Sequence, residues 1–225
     1  MKNYAIIVAG GKGTRMKSGI PKQFLPLGGL PVLMHTLNAF TRAMPDIIII
    51  LVLPANHQNR WRALCKKYNF TIPHLAVNGG ITRFHSVKNG LRKVSTPGTV
   101  AVHDGVRPLV SHALIKRCFA AASRNRAVVP AVPVKESLRK ITGQRSEAVS
   151  RDSFVAVQTP QCFSSLVLHK AYNLPYKKSF TDDASVVEAA GFPIFLIGGE
   201  EGNIKITAPA DLLIAEKCFL RRHIS

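Results

Sequence analysis

The chain has 225 residues, 46% of them hydrophobic, with 31 Lys and Arg against 12 Asp and Glu and a formal net charge of +19. That length and apolar content predict one sizeable core, and no apolar run reaches the roughly 18 residues of a membrane span. The charge leaves two function classes open, a nucleic-acid binder and an enzyme for anionic small molecules.

Met1-Lys2-Asn3-Tyr4 runs straight into a strand-like segment, without the leader or cleavage site of a signal peptide. Short, continuous Val- and Ile-rich runs at 4–9, 47–53, 99–103 and 127–134 read as buried strands. Between them, segments 31–42, 56–69, 82–94 and 111–124 carry helical spacing, and two further helices are expected near 164–173 and 181–190. A last helix begins at Pro209, where proline suits the first turn and Asp211 the dipole, and runs to about Leu220. Strands alternating with helices predict an α/β fold, a mostly parallel sheet flanked by helices. Segment 135–152 departs from the pattern, with eight charged residues, few large apolar ones and a turn at Gly143-Gln144. It reads either as a solvated surface hairpin or as an arm that packs on a partner subunit.

Cys65, Cys118, Cys162 and Cys218 are scattered with no CxxC spacing, as for thiols in a reducing cytoplasm. Lys and Arg are spread along the whole chain, and no recognition helix, zinc finger or RNA-binding aromatic motif is visible. Specific nucleic-acid binding is therefore not expected, although weak attraction to polyanions at low salt is.

Polar clusters sit where apolar strands end, the edge at which open α/β sheets bind ligands. The first, Ala9-Gly10-Gly11-Lys12-Gly13-Thr14-Arg15-Met16, is a glycine-rich loop with cations, followed by Pro21-Lys22-Gln23-Phe24-Leu25. Glycines let backbone N–H groups approach an anion and the cations neutralise it, which suits a nucleoside triphosphate. The loop fits neither the dinucleotide fingerprint nor the Walker A spacing. The second cluster is Asn78-Gly79-Gly80 with Arg83 and Ser86, and the third His103-Asp104-Gly105-Val106-Arg107-Pro108. Gln158-Thr159-Pro160-Gln161, Thr181-Asp182-Asp183-Ala184-Ser185 and Gly202-Asn203-Ile204-Lys205-Ile206-Thr207 complete the set. Thr181-Asp182-Asp183 is also a good helix start, a role more natural for the pair than metal binding. Lys205, in a strand-like apolar context, must be paired or face a cleft. His103 and Asp104 are adjacent on a strand, so they point to opposite faces and form no dyad.

No clear general base stands out. A phosphate monoester needs none as nucleophile, because its second pKa near about 6 leaves it ionised at neutral pH. Such a reaction needs charge stabilised on phosphorus, a task for Arg15, Lys22 and Lys205 with Mg²⁺ on the triphosphate.

Six motifs in register, over nearly the whole chain, resemble the 2-C-methyl-D-erythritol 4-phosphate cytidylyltransferase family. They are Ala9-Gly10-Gly11-x-Gly13-x-Arg15-Met16, Pro21-Lys22-Gln23-Phe24, His103-Asp104-x-x-Arg107-Pro108, Thr159-Pro160-Gln161, Thr181-Asp182-Asp183-Ala184-Ser185 and Asn203-Ile204-Lys205-Ile206-Thr207. The resemblance implies a single Rossmann-like nucleotidyltransferase domain over 1–225, with 135–152 as a dimerisation β-arm, in a cytoplasmic homodimer. It implies transfer of a cytidylyl group from CTP to methylerythritol phosphate with release of pyrophosphate, a step of non-mevalonate isoprenoid synthesis. Arg15 and Lys22 then match transition-state stabilisers, and Arg151 and Lys205 match residues that position the acceptor, Arg151 across the dimer. Ala9, Gly10, Gly11, Gly13, Gly80, Ser86 and Gly105 match nucleotide-binding positions. Asp104, Arg107, Ser137, Thr159 and Thr181 match positions around the second substrate. Mg²⁺ is implied on the CTP phosphates, with no protein ligand.

The chain departs from the commoner pattern at Gly10, where many members have Ala, at Ser137, where Thr is usual, and at Ile81, where a polar residue is common. The related ribitol 5-phosphate cytidylyltransferases share the triphosphate half and remain the nearest alternative, since both acceptors are phosphorylated polyols. A basic nucleic-acid-binding protein without catalysis is the more distant one.

Overall fold

The alternation of strand and helix patterns is realised almost element for element in the computed structural model, which describes residues 1–11 and 19–224. Strand β1 (Lys2–Val8) is followed by a small hairpin, β2 (Pro26–Leu27) and β3 (Leu30–Pro31), and then by α1 (Val32–Ala43). β4 (Ile48–Leu53), α2 (Gln58–Lys67), β5 (Leu75–Asn78), α3 (Arg83–Leu91), β6 (Gly98–Asp104), α4 (His112–Asn125) and β7 (Ala127–Pro133) continue the alternation. Among the described residues, β8 (Leu138–Thr142) and β9 (Arg145–Val149) pair only with each other. The chain then returns through β10 (Val155–Val157), β11 (Gln161–Ser164), α5 (Ser165–Tyr172), α6 (Asp183–Ala189), β12 (Phe195–Gly198) and α7 (Pro209–Ile224).

The main sheet runs β10-β7-β11-β6-β1-β4-β5, with β12 beside β7. β1 lies parallel to both β4 and β6, β4 to β5, and β12 to β7, whereas β10 and β11 run antiparallel. Both faces are covered, as alternate residues of β1 show. Tyr4 and Ile6 belong to a cluster with Phe84, Val87, Leu168 and Val187, and Ala5 and Ile7 to one with Leu33, Leu37, Trp61 and Ile115. Ile6 and Ile7 are both 0% exposed, each worth about 1.5–3 kcal/mol of burial. A smaller cluster joins Leu25, Leu27, Val106 and Ile206 to Ala215 of α7.

Local chemistry sets the helix starts. Ser111 Oγ accepts from the amide of Leu114 at 2.9 Å, and Asp182 with Ser185 forms a reciprocal capping box. Asp211 Oδ2 accepts from the amides of Thr207 and Ala208 and from the Thr207 hydroxyl, all within 2.8 Å. Gly143 and Gln144 form the two-residue turn of the β8–β9 hairpin, with Gly143 at φ +61°. Among the described residues no helix is long and apolar enough to cross a membrane.

Three expectations change. The segment around Lys205 is not a strand; it is an extended connection held by the amide of Ile206 on the carbonyl of Val106 at 2.9 Å. Gln158–Gln161 does not end a parallel strand: it leads into β11, which runs the other way and so begins beside the carboxyl end of β6. The last helix extends to Ile224.

Candidate active site

β1 crosses over to β4 on one side while β6 flanks it on the other, so the carboxyl ends of β1 and β6 meet at a topological switch point. A cavity of about 340 Å³ opens there, lined by Ala9, Gly10, Gly11, Lys22, Gln23, Gly80, Ile81, Thr82, Arg83, Ser86, Asp104 and Lys205, among others.

The walls formed by the glycine loop and the Gly80 turn are backbone. Ala9 is tied down at both ends, its amide to Val52 O at 2.9 Å and its carbonyl by Gln23 Nε2 at 3.0 Å. The amides of Gly10 and Gly11 have no partner among the described residues. Across the cavity, the Ser86 hydroxyl accepts from Gly80 N–H at 3.0 Å and donates to Thr82 O at 2.9 Å, which fixes the loop. Gly80 is obligatory for packing, because a Cβ there would lie 2.4 Å from His85 Cβ. Gln23 is 1% exposed, and its Oε1 has no partner among the described residues.

The other wall is ionic. Asp104 carries three cations: Lys205 Nζ at 3.1 Å and Arg107 Nε at 3.3 Å from Oδ2, and Arg83 Nε at 3.7 Å from Oδ1. Burial works to raise the Asp104 pKa, but Arg83, Lys205 and Arg107 together outweigh it and hold the carboxyl well below its usual range. Lys22 is nearly buried and donates to the carbonyl of Ile206 at 3.0 Å. Lys22 and Lys205 thus share one cavity from opposite ends of the sequence.

Several expected site residues lie behind this wall. Arg107 is buried and spends Nη1 on Asn203 O at 2.7 Å, so it braces the Lys205 segment. The Thr159 hydroxyl accepts from the Asp104 amide at 3.1 Å and meets His103 Nδ1 at 3.0 Å. Burial pushes the His103 pKa down to about 3, and Nε2 faces the carbonyl of Arg107 at 3.3 Å. The neutral ring therefore carries its proton on Nε2 and accepts from Thr159 at Nδ1. His103 and Asp104 make no dyad, as their opposite faces on β6 require. Gly105 closes the floor: its amide donates to Val8 O, and a Cβ there would come within 2.9 Å of Ala9 Cβ.

Ser137 and Thr181 are exposed, and neither lines the cavity. Arg151 is likewise outside it, at the base of the β8–β9 hairpin, where Nη1 donates to Lys135 O. Gly13 and Arg15 lie outside the described residues. Sequence reasoning noted Arg83 without giving it a role and missed Gln161 as a structural tie. Gln161 Oε1 takes the amides of Asp183 and Ala184, and its Nε2 binds Asp182 Oδ2 at 2.7 Å. No local signal pointed to Arg83: its partner Asp183 is buried 100 positions away, and a buried carboxylate requires a cation.

Residues 3–222 match the family model of 2-C-methyl-D-erythritol 4-phosphate cytidylyltransferase. The chain belongs to that family. A cytidylyltransferase of this name from Bacteroides thetaiotaomicron is 55% identical over 214 residues, 95% of this chain and 98% of that protein. The crystal structure of the Thermus thermophilus enzyme is 34% identical, with a TM-score of 0.75 over 97% of this chain and 98% of that one. The 4-diphosphocytidyl-2C-methyl-D-erythritol synthase of Anaerococcus prevotii is 28% identical, with a TM-score of 0.82 and the same coverage. Membership in the 2-C-methyl-D-erythritol 4-phosphate cytidylyltransferase family makes the chain an enzyme, a nucleotidyltransferase. The methylerythritol reading is favoured over the ribitol one and over a non-catalytic basic protein.

Proposed function

We infer that this chain transfers the cytidylyl group of CTP to 2-C-methyl-D-erythritol 4-phosphate, giving 4-diphosphocytidyl-2-C-methyl-D-erythritol and pyrophosphate in isoprenoid precursor synthesis. The observation that carries the reading is the single cavity lined together by Gly10 and Gly11, whose amides have no partner among the described residues, and by Lys22, Lys205 and Arg83. Backbone donors suit a triphosphate, and clustered cations suit the meeting of two polyanions.

The acceptor phosphate oxygen attacks the α-phosphorus in line. The new P–O bond forms as the bond to the β-bridging oxygen breaks, and that electron pair leaves with pyrophosphate. The nucleophile is already ionised, so no side chain removes a proton. Lys22 stabilises the charge that builds on phosphorus, and Arg15 is assigned the same role from the sequence. Lys205, held by Asp104, positions the acceptor. Asp104 is the one carboxylate among the described lining residues, and three cations already occupy it. The described residues therefore suit a Mg²⁺ ion carried by the triphosphate rather than held by protein. When bound, that ion neutralises charge on the leaving pyrophosphate.

A homodimer is part of the proposal. The β8–β9 hairpin stands apart from the main sheet, and beside its base Phe154, Val155 and Leu196, which line one hollow with Lys135 and Arg151, are 45–55% exposed. An apolar patch of that kind calls for a partner. A second copy would cover it and let Arg151 reach the neighbouring cavity.

Incubation with CTP, Mg²⁺ and methylerythritol phosphate is expected to release pyrophosphate. Silence with that acceptor beside turnover with ribitol 5-phosphate would overturn the substrate assignment.

A further inference from the structure

Arg83 opens α3 directly after its cap Thr82, where a cation opposes the helix dipole. Two carboxylates hold it there: Nη2 donates to Asp183 Oδ2 at 2.6 Å, and Nε lies 3.7 Å from Asp104 Oδ1. Asp104 is also paired with Lys205 and Arg107, both at shorter distances, so Arg83 shares this carboxylate rather than holding it alone. Asp183 is fully buried and fixed from three elements. Its Oδ1 accepts from the Tyr172 hydroxyl of α5 at 2.6 Å, its amide goes to Gln161 of β11, and its Oδ2 meets Arg83 of α3. The Tyr172 ring stacks on Phe84, next in sequence to Arg83, with centroids 4.7 Å apart. Neither Asp183 nor Tyr172 lines the cavity; Arg83 does, with 28% of its side chain exposed. Its Nη1 amino group has no hydrogen-bond partner among the described residues.

We propose that Arg83 gives this amino group to a phosphate oxygen of one of the two reactants, and that Asp183 and Tyr172 are positioning residues that fix the guanidinium for it. The inference rests on the function proposed above and adds a substrate contact to it. A guanidinium pinned along its Nε and Nη2 edge is pre-organised, and its remaining donors match the geometry of a phosphate. Arg83 joins the nucleotide loop by chain continuity and the acceptor wall by its ion pairs. The triphosphate and the acceptor monoester are therefore the two sources of that oxygen.

The test is steady-state kinetics of wild type, Arg83→Lys and Tyr172→Phe, with CTP and methylerythritol phosphate varied in turn. Lysine keeps the charge but cannot span both carboxylates and a ligand, so the KM for one substrate is expected to rise about tenfold or more. Tyr172→Phe keeps the ring stack, and a rise of about threefold is expected in the same KM. A raised KM for CTP assigns the oxygen to the triphosphate; a raised KM for the acceptor assigns it to the monoester. Both KM values unchanged, or both raised together with a lowered thermal midpoint, would make Arg83 a structural tie and overturn the proposal. A wild type that releases no pyrophosphate would defeat the parent reading instead. In that case calorimetric binding of CTP and of methylerythritol phosphate to the same three proteins decides the Arg83 question.

Discussion

The ammonium of Lys22 donates to the carbonyl of Ile206 at 3.0 Å, which places it one residue from Lys205 across 184 positions of sequence. That bond holds a nearly buried cation at the mouth of the glycine loop and aims it along the same wall as Lys205. In the proposed mechanism, Lys22→Ala removes a donor that works on charge building in the transition state. Turnover is expected to fall by ~10²–10³-fold, the scale seen when one such donor is lost, with the KM for CTP changing far less. An unchanged turnover number in a pyrophosphate-release assay would remove Lys22 from the chemistry.

Gly80 carries a steric prediction. A methyl at this position would meet His85 Cβ at 2.4 Å and the His85 backbone carbon at 2.9 Å, at the start of α3. The helix cannot yield cheaply, so Gly80→Ala is expected to displace the loop and raise the KM for CTP about tenfold or more. At Gly10 the same methyl would come no closer than 3.9 Å to Ser86 Oγ. Gly10→Ala is therefore expected to cost less than Gly80→Ala, which accords with the Ala that many members of the resembled family carry there. Equal costs for the two would show that sterics at His85 do not govern the site.

Most of the sheet was legible because its strands are buried on both faces. Tyr4 to Ile7 and Ile49 to Leu53 are unbroken apolar runs, and only a sandwiched strand tolerates that. β10, β11 and β12 were harder, being three or four residues long, and Gln161-Cys162-Phe163-Ser164 has no strand period to read. The same limit applied at the site. Asp182 as a cap is a local rule visible in four residues. The Arg83–Asp183 pair spans 100 positions, and no local pattern predicts it. Thr159 shows a related gap. Its hydroxyl is committed to Asp104 N–H and His103 inside the wall, a fact set by where β11 reverses beside β6.

His103 gives a pH prediction with a definite sign. Its folded pKa of about 3 lies below the 6.5 of an unperturbed histidine, so between those values the unfolded chain binds the extra proton. Stability is full above about pH 6.5 and falls as pH drops toward 3. From pH 6.5 to 5 the loss from this group is about 2 kcal/mol. His57, lowered by burial and by Arg60, adds with the same sign. Asp104, lowered instead from the carboxylate range, keeps its contribution until more acid pH. Denaturant titrations at pH 7, 6 and 5 should show the fall, and His103→Asn should flatten it. A slope identical in wild type and variant would mean that His103 is not the buried neutral group inferred from its partners.

Arg151 tests the dimer. Its side chain is exposed at the foot of the β8–β9 hairpin and does not line the cavity of its own chain. If a second copy covers the apolar patch at Phe154 and Leu196, each Arg151 serves its neighbour's cavity. Arg151→Ala and Lys205→Ala homodimers are then both impaired, the first chiefly in the KM for methylerythritol phosphate. Mixing the two by denaturation and refolding yields heterodimers in which one cavity carries both lesions and the other carries neither. In a statistical mixture half the dimers are of this kind, so recovery toward about a quarter of wild-type activity per site is expected. Sedimentation should show a dimer throughout. No recovery in a mixture that sediments as dimers would place Arg151 in its own chain's site or in none.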